Sequence, residues 1–95
     1  MRKENRPLLI NSPYEHVTAV LPPLGLAYLA AVLEKNGLPV DLLDAHAHRL
    51  SEAAILEHIG RTRPNIVGIT TPTPRIRQVS ALAHRIKQEF PEVLL

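Results

Sequence analysis

The sequence predicts an α/β domain wound around a parallel sheet. Short apolar runs begin near residues 8, 40, 66 and 93, a helix-forming stretch separates each run from the next, and Pro or Gly marks most of the junctions. Strands and helices alternating at that separation form right-handed βαβ units. With 95 residues the chain is one small domain or part of one, and its 45% hydrophobic and 21% charged residues suit a packed core, neither disordered nor collagen-like. Tyr14, Tyr28 and Phe90 are its three aromatic residues, so Leu, Ile, Val and Ala must build that core.

The first strand is Leu8-Leu9-Ile10, an apolar run bounded by Pro7 and by Asn11-Ser12-Pro13, which suits a strand buried on both faces. A loop leads to Pro22-Pro23, where a Pro in the first helical position presets the backbone, and a helix runs from Leu24 to Asn36 with Gly37 as a left-handed stop. This helix is apolar on nearly every side from Leu26 to Leu33, so one face covers the sheet and another needs a further partner. Val40–Asp44 is the second strand, and Pro39 at its start belongs on a sheet edge. Ser51 caps a second helix to about Thr62, with Ile55, Leu56 and Ile59 inward, Arg61 and Arg63 near its C-terminal dipole and Pro64 as its stop. Ile66–Ile69 is the third strand. Thr73 as N-cap and Pro74 as first residue open a third helix, with Ile76, Val79, Leu82, Ala83, Ile86 and Phe90 inward and Arg77, Gln78, Arg85, Lys87 and Gln88 outward. Val93-Leu94-Leu95 begins a fourth strand, and the chain reads as cut there, leaving an open sheet edge able to self-associate.

Several function classes are excluded. Without cysteine this stretch forms no disulfide, thiolate zinc site or iron–sulfur ligation of its own, and the simplest compartment is the cytoplasm. Residues 1–6 form a basic tail, but the apolar run behind them is too short for a signal peptide, and no run nears the roughly 20 residues of a membrane span. A net charge of +2 without interleaved aromatics argues against a nucleic-acid surface. Neither G-x-G-x-x-G nor a P-loop occurs, Ser12, Ser51 and Ser80 lack a nucleophile elbow, and a phospho-acceptor receiver would need carboxylates where Asn11-Ser12 and Thr70-Thr71 stand.

Ligands of open parallel sheets bind beyond the carboxyl ends of the strands, where strand order reverses. Those ends are Asn11-Ser12-Pro13, Asp44-Ala45-His46 and Thr70-Thr71-Pro72-Thr73, and a 2-1-3-4 order places the crevice between the first and third loops. Thr70, Thr71 and Thr73 offer hydroxyls near a helix N-terminus, suited to a phosphate or an amide, although a cap alone explains Thr73. Gly68 permits close approach of either a ligand or a helix. Asp44, His46 and His48 alternate and would share one side of an extended segment, but a solvated loop explains them, and no metal site is assigned. No catalytic residue is assigned either.

The run Pro22-Pro23-Leu24-Gly25-Leu26-Ala27-Tyr28-Leu29-Ala30, with Leu42-Leu43-Asp44-Ala45 behind it, Arg63–Thr70 next and Leu82–Pro91 last, resembles the N-terminal cobalamin-binding domain of B12-dependent radical SAM proteins. The resemblance covers residues 7–95 and implies a Rossmann-like, doubly wound sheet of flavodoxin-like order 2-1-3-4, here the N-terminal portion of the domain. It implies cobalamin as ligand, held at Asn11, Ser12, Pro13, Pro23, Leu24, Gly25, Asp44, Thr70 and Thr71. It also implies a downstream radical SAM barrel carrying a 4Fe–4S cluster and S-adenosylmethionine, so methyl transfer or cyclisation would belong to that barrel and not to this stretch. The chain departs from the D-x-H-x-x-G signature of domains that supply an axial histidine: Asp44 and His46 fit, but Arg49 stands in the glycine position and the segment follows the second strand. The resemblance therefore implies no axial histidine from this stretch, and the family's glycine-rich loop after the fourth strand would lie beyond Leu95. Two other readings stay open, a non-catalytic remnant or interaction module with an open sheet edge, and a Rossmann-like domain for another phosphate-bearing ligand.

Overall fold

Three short apolar segments pair in one register. In the computed structural model, which describes residues 6–13, 23–71 and 73–95, β1 (Leu8–Asn11) lies between β2 (Asp41–Asp44) and β3 (Val67–Ile69). All three are parallel, in the order β2-β1-β3. Leu9 stands opposite Leu42 and Gly68, and Ile10 opposite Leu43 and Ile69. Because side chains alternate along a strand, this register sends Leu8, Ile10, Leu43, Val67 and Ile69 to one face and Leu9, Leu42 and Gly68 to the other. Leu94 adds a parallel bridge to Ile66, held by Leu94 N–H to Asn65 O at 2.9 Å and Val67 N–H to Leu94 O at 2.8 Å. The predicted fourth segment thus joins β3 on the expected side.

The first face is sealed by α2 (Glu52–Thr62) and α3 (Ile76–Glu89). Ile55, Leu56 and Ile59 from α2 and Leu82 and Ile86 from α3 pack with Leu8, Ile10, Val67 and Phe90 in the hydrophobic core. Burying each such side chain contributes about 1.5–3 kcal/mol. Local chemistry sets the ends of α2: the Ser51 hydroxyl accepts the Ala54 N–H at 3.1 Å, and Arg63 turns left-handed at φ 51° before Pro64. Lys87 Nζ donates to Pro91 O at 2.9 Å and Val93 O at 2.7 Å, fixing the turn between α3 and the fourth segment.

The second face carries α1 (Leu24–Lys35), of which Leu26 alone is buried. Leu24, Tyr28, Leu29 and Val32 are exposed, so the second partner that the all-apolar pattern calls for is not among the described residues. Gly37 ends the helix at φ +80°, a conformation that disfavours any residue with a Cβ. Gly68 serves the same face, since an added Cβ would lie 3.1 Å from Leu9 Cδ2. Pro39 precedes β2, an outer strand of the sheet, where a missing N–H is tolerated.

Four expectations need correction. Thr73 does not cap α3; Thr73–Arg75 form a 3-10 turn, and the helix starts at Ile76 with no side-chain cap. Pro74 has a fixed φ and no N–H, which a 3-10 turn accommodates as readily as a first α turn. Ile76, expected inward, is exposed because it sits in the first turn, at the strand-tip edge. Gln78, expected outward, is half-buried. Pro23 occupies the position before the first helical residue, Leu24, rather than the first turn itself. Tyr14, Pro22, Pro72 and the basic tail up to Asn5 lie outside the described residues. No described helix is long and apolar enough to cross a membrane.

Candidate functional site

Each strand delivers a polar residue to the same edge of the sheet because each apolar run ends there, and the parallel register brings those ends side by side. Asn11 and Asp44 are register partners, and Asn11 Nδ2 donates to Asp44 Oδ1 at 2.8 Å. The Ala47 N–H donates to the same oxygen at 3.0 Å, and the His46 N–H reaches Asn11 O at 3.3 Å. Burial would raise the Asp44 carboxyl, but the Asn11 amide, the Ala47 N–H and the imidazoles of His46 and His48 hold it below the ordinary aspartate value. The tip of β2 therefore presents an ionised carboxylate.

On the other side of β1 the chain is tied to β3. Ser12 N–H donates to Thr70 Oγ1 and Ser12 Oγ donates to Thr70 O, both at 3.1 Å, while Thr70 N–H continues the sheet to Ile10 O at 3.0 Å. Thr70 Oγ1 also approaches Asn11 Oδ1 at 3.5 Å, which links the two halves of the edge. Arg75, from the 3-10 turn, donates through Nη1 to Ser12 O at 2.6 Å and to Ser12 Oγ at 3.2 Å. Asn11 and Ser12 are buried, so they brace the edge from behind, whereas Asp44, Thr70 and Pro13 are half-buried and Thr71 is exposed. The Thr71 hydroxyl turns back to Ile69 O at 3.2 Å.

Of the residues expected at the site, Asn11, Ser12, Asp44 and Thr70 meet in one hydrogen-bonded group, with Pro13 and Thr71 adjoining it in sequence. Pro23, Leu24 and Gly25 stand outside that group, at the start of α1, whose N-terminus winding topology places on the strand-tip side. Leu24 is exposed there, and an added Cβ at Gly25 would meet nothing within 4 Å. Beside Ser12 and Pro13 a cleft of about 150 Å³ opens between α2 and α3, walled by Leu50, Ile55 and Val79 and bordered by Gln78. The Gln78 Oε1 is buried and lacks a hydrogen-bond partner among the described residues. Arg75 and Gln78 were not foreseen at this edge. Position was the available signal for Arg75, a cation in the short segment joining the third strand tip to its helix.

The Asp44–Arg49 segment keeps part of the geometry of the signature that it departs from. It folds into a turn closed by Leu50 N–H to Ala45 O at 2.9 Å, and Arg49 adopts φ 51°, the left-handed region in which glycine is at ease. No group of three or more His, Cys, Asp or Glu able to hold a metal ion occurs among the described residues.

A parallel sheet with a polar group across its strand tips is a general ligand platform, and comparison with known proteins narrows it. The profile described as the B12 binding domain matches residues 14–95. The chain belongs to the B12-binding domain family. A curated relative of this B12-binding domain, the anaerobic magnesium-protoporphyrin IX monomethyl ester cyclase of Rubrivivax gelatinosus, is 35% identical over 74 residues. That stretch is 77% of this chain and 13% of the relative, so the domain spans a small part of the relative's length. No solved structure matches the chain significantly. The Rossmann-like order 2-1-3 and the parallel crossovers agree with the family.

Proposed function

We propose that this domain holds cobalamin against its strand tips and serves as the N-terminal cobalamin module of a B12-dependent radical SAM enzyme of methyltransferase or cyclase type. The observation that carries the proposal is the hydrogen-bonded edge of Asn11, Ser12, Asp44 and Thr70 in a member of the B12-binding domain family. The donor set fits the ligand: a corrin is fringed with amide side chains, and an ionised carboxylate and threonine hydroxyls are complementary to those groups. Bound cobalamin supplies a cobalt centre that carries an alkyl group or exchanges electrons.

The chain's own residues bind and orient. Asp44 accepts amide N–H groups with the part of its carboxylate not committed to Asn11 and Ala47, Thr70 and Thr71 offer hydroxyls on the far side of β1, and Asn11 and Ser12 keep the three tips in register. Pro13 and the Pro23-Leu24-Gly25 start of α1 flank this edge, where the exposed helix start leaves room for a broad flat ligand. His46 is assigned no axial role, because its segment follows β2 and carries Arg49 where the signature has glycine.

Titrating the full chain with hydroxocobalamin is expected to give a saturable shift of the visible spectrum, and an unchanged spectrum at saturation would sink the proposal. The wider assignment, in which the complete protein carries a 4Fe–4S cluster and S-adenosylmethionine in a separate domain, rests on the resemblance in sequence, and a relative named as a cyclase agrees with the cyclase type. Anaerobic reconstitution of the complete protein should then yield a cluster that cleaves S-adenosylmethionine, and a complete protein without such a cluster contradicts it.

A further inference from the structure

Ser12 is the first residue beyond β1 and, with Pro13, carries the chain off the sheet toward the segment after residue 13. It is 1% exposed. Its three polar groups are each engaged: the N–H with Thr70 Oγ1, the hydroxyl with Thr70 O, and the carbonyl with Arg75 Nη1 at 2.6 Å. The first two contacts come from the neighbouring strand tip. The third comes from the 3-10 turn before α3, 63 positions away in sequence. A guanidinium donating to a carbonyl is charge-assisted, hence shorter and stronger than a neutral pair, and the same nitrogen, Nη1, also donates to the Ser12 hydroxyl at 3.2 Å.

We propose that Arg75 is a positioning residue that fixes the exit of the chain from β1 before any ligand arrives. The 3-10 turn makes this possible, because ending the turn at Arg75 places the side chain beside Ser12 instead of starting a regular α turn at Thr73. Arg75 thereby couples Ser12, at the tip of β1, to the turn after β3, on the two sides of the switch point of the sheet. Holding the tip of β1 in place beforehand lowers the ordering cost of binding, so the contact acts on affinity without touching the ligand. The ligand's identity rests on the cobalamin assignment; the clamp on Ser12 does not.

The test compares the full chain with Arg75→Ala and Arg75→Lys. In the ligand-free proteins, amide exchange is expected to accelerate in Arg75→Ala at Ser12 and Thr70, by about tenfold or more, while core amides such as those of Ile10 and Ile59 stay protected. Arg75→Lys, which still offers a cationic donor, restores most of that protection. Hydroxocobalamin affinity follows the same order, about tenfold weaker for Arg75→Ala and within about threefold of wild type for Arg75→Lys. Unchanged exchange at Ser12 overturns the proposal, as does exchange accelerated uniformly through the core, or local acceleration with unaltered affinity in a wild type that binds. Should the wild type not bind hydroxocobalamin, the cobalamin assignment falls, and the exchange measurement decides the Arg75 clamp by itself.

Discussion

Ile59 in α2 and Leu29 in α1 are both aliphatic residues in the body of a helix, yet Ile59 is fully buried and Leu29 is 52% exposed. The two helices lie on opposite faces of one three-stranded sheet. On the α2 and α3 face, apolar residues recur on one stripe of each helix, and the sheet offers Leu8, Ile10 and Val67 to meet them. On the α1 face the helix is apolar all round, but the paired strand residues beneath it are Leu9, Leu42 and a bare glycine. An apolar helix is therefore not the same thing as a buried helix. Burial needs a matching surface, and the stripe pattern of α2 predicts its own burial better than the richer composition of α1 does.

The contrast is open to direct attack. Ile59→Ala removes a side chain from the sealed core and is expected to cost about 2–5 kcal/mol in urea unfolding, whereas Leu29→Ala should stay within about 0.5 kcal/mol. An equal penalty at both positions would mean that the α1 face is covered in solution, and the distinction between the two faces would collapse. A smaller effect lies at the polar edge the two faces share. Because the Asp44 carboxyl is held below its ordinary value in the folded chain, its contribution to stability is complete above the unfolded aspartate value and is lost as pH falls through the lowered one. Acid unfolding of Asp44→Asn should lose that part of the pH dependence. A variant whose acid limb matches wild type would show that Asp44 does not tie β2 to β1.

Much of the architecture was legible because its signals are local. Apolar runs between Pro and Gly placed the strands, Ser51 marked a true cap, and Ile55, Leu56 and Ile59 read as one inward stripe. The start of α3 was less legible, since Thr-Pro reads as a cap while the backbone takes a 3-10 turn. At the edge, Asn11, Ser12, Asp44 and Thr70 stood out singly as polar residues ending apolar runs. Their partners depend on strand register, so the Asn11–Asp44 pair is a tertiary fact. Arg75 was hidden for the same reason, its contact with Ser12 existing only once β3 lies beside β1.

The central proposal concerns place, with cobalamin across the strand tips and not on the apolar flank of α1. Nuclear magnetic resonance of the isotopically labelled chain, titrated with hydroxocobalamin, tests it most directly. The largest amide shifts are expected at Asn11, Ser12, Asp44–Ala47, Thr70 and Thr71. Shifts gathered instead around Tyr28, Leu29 and Val32, with the strand tips silent, would contradict the account.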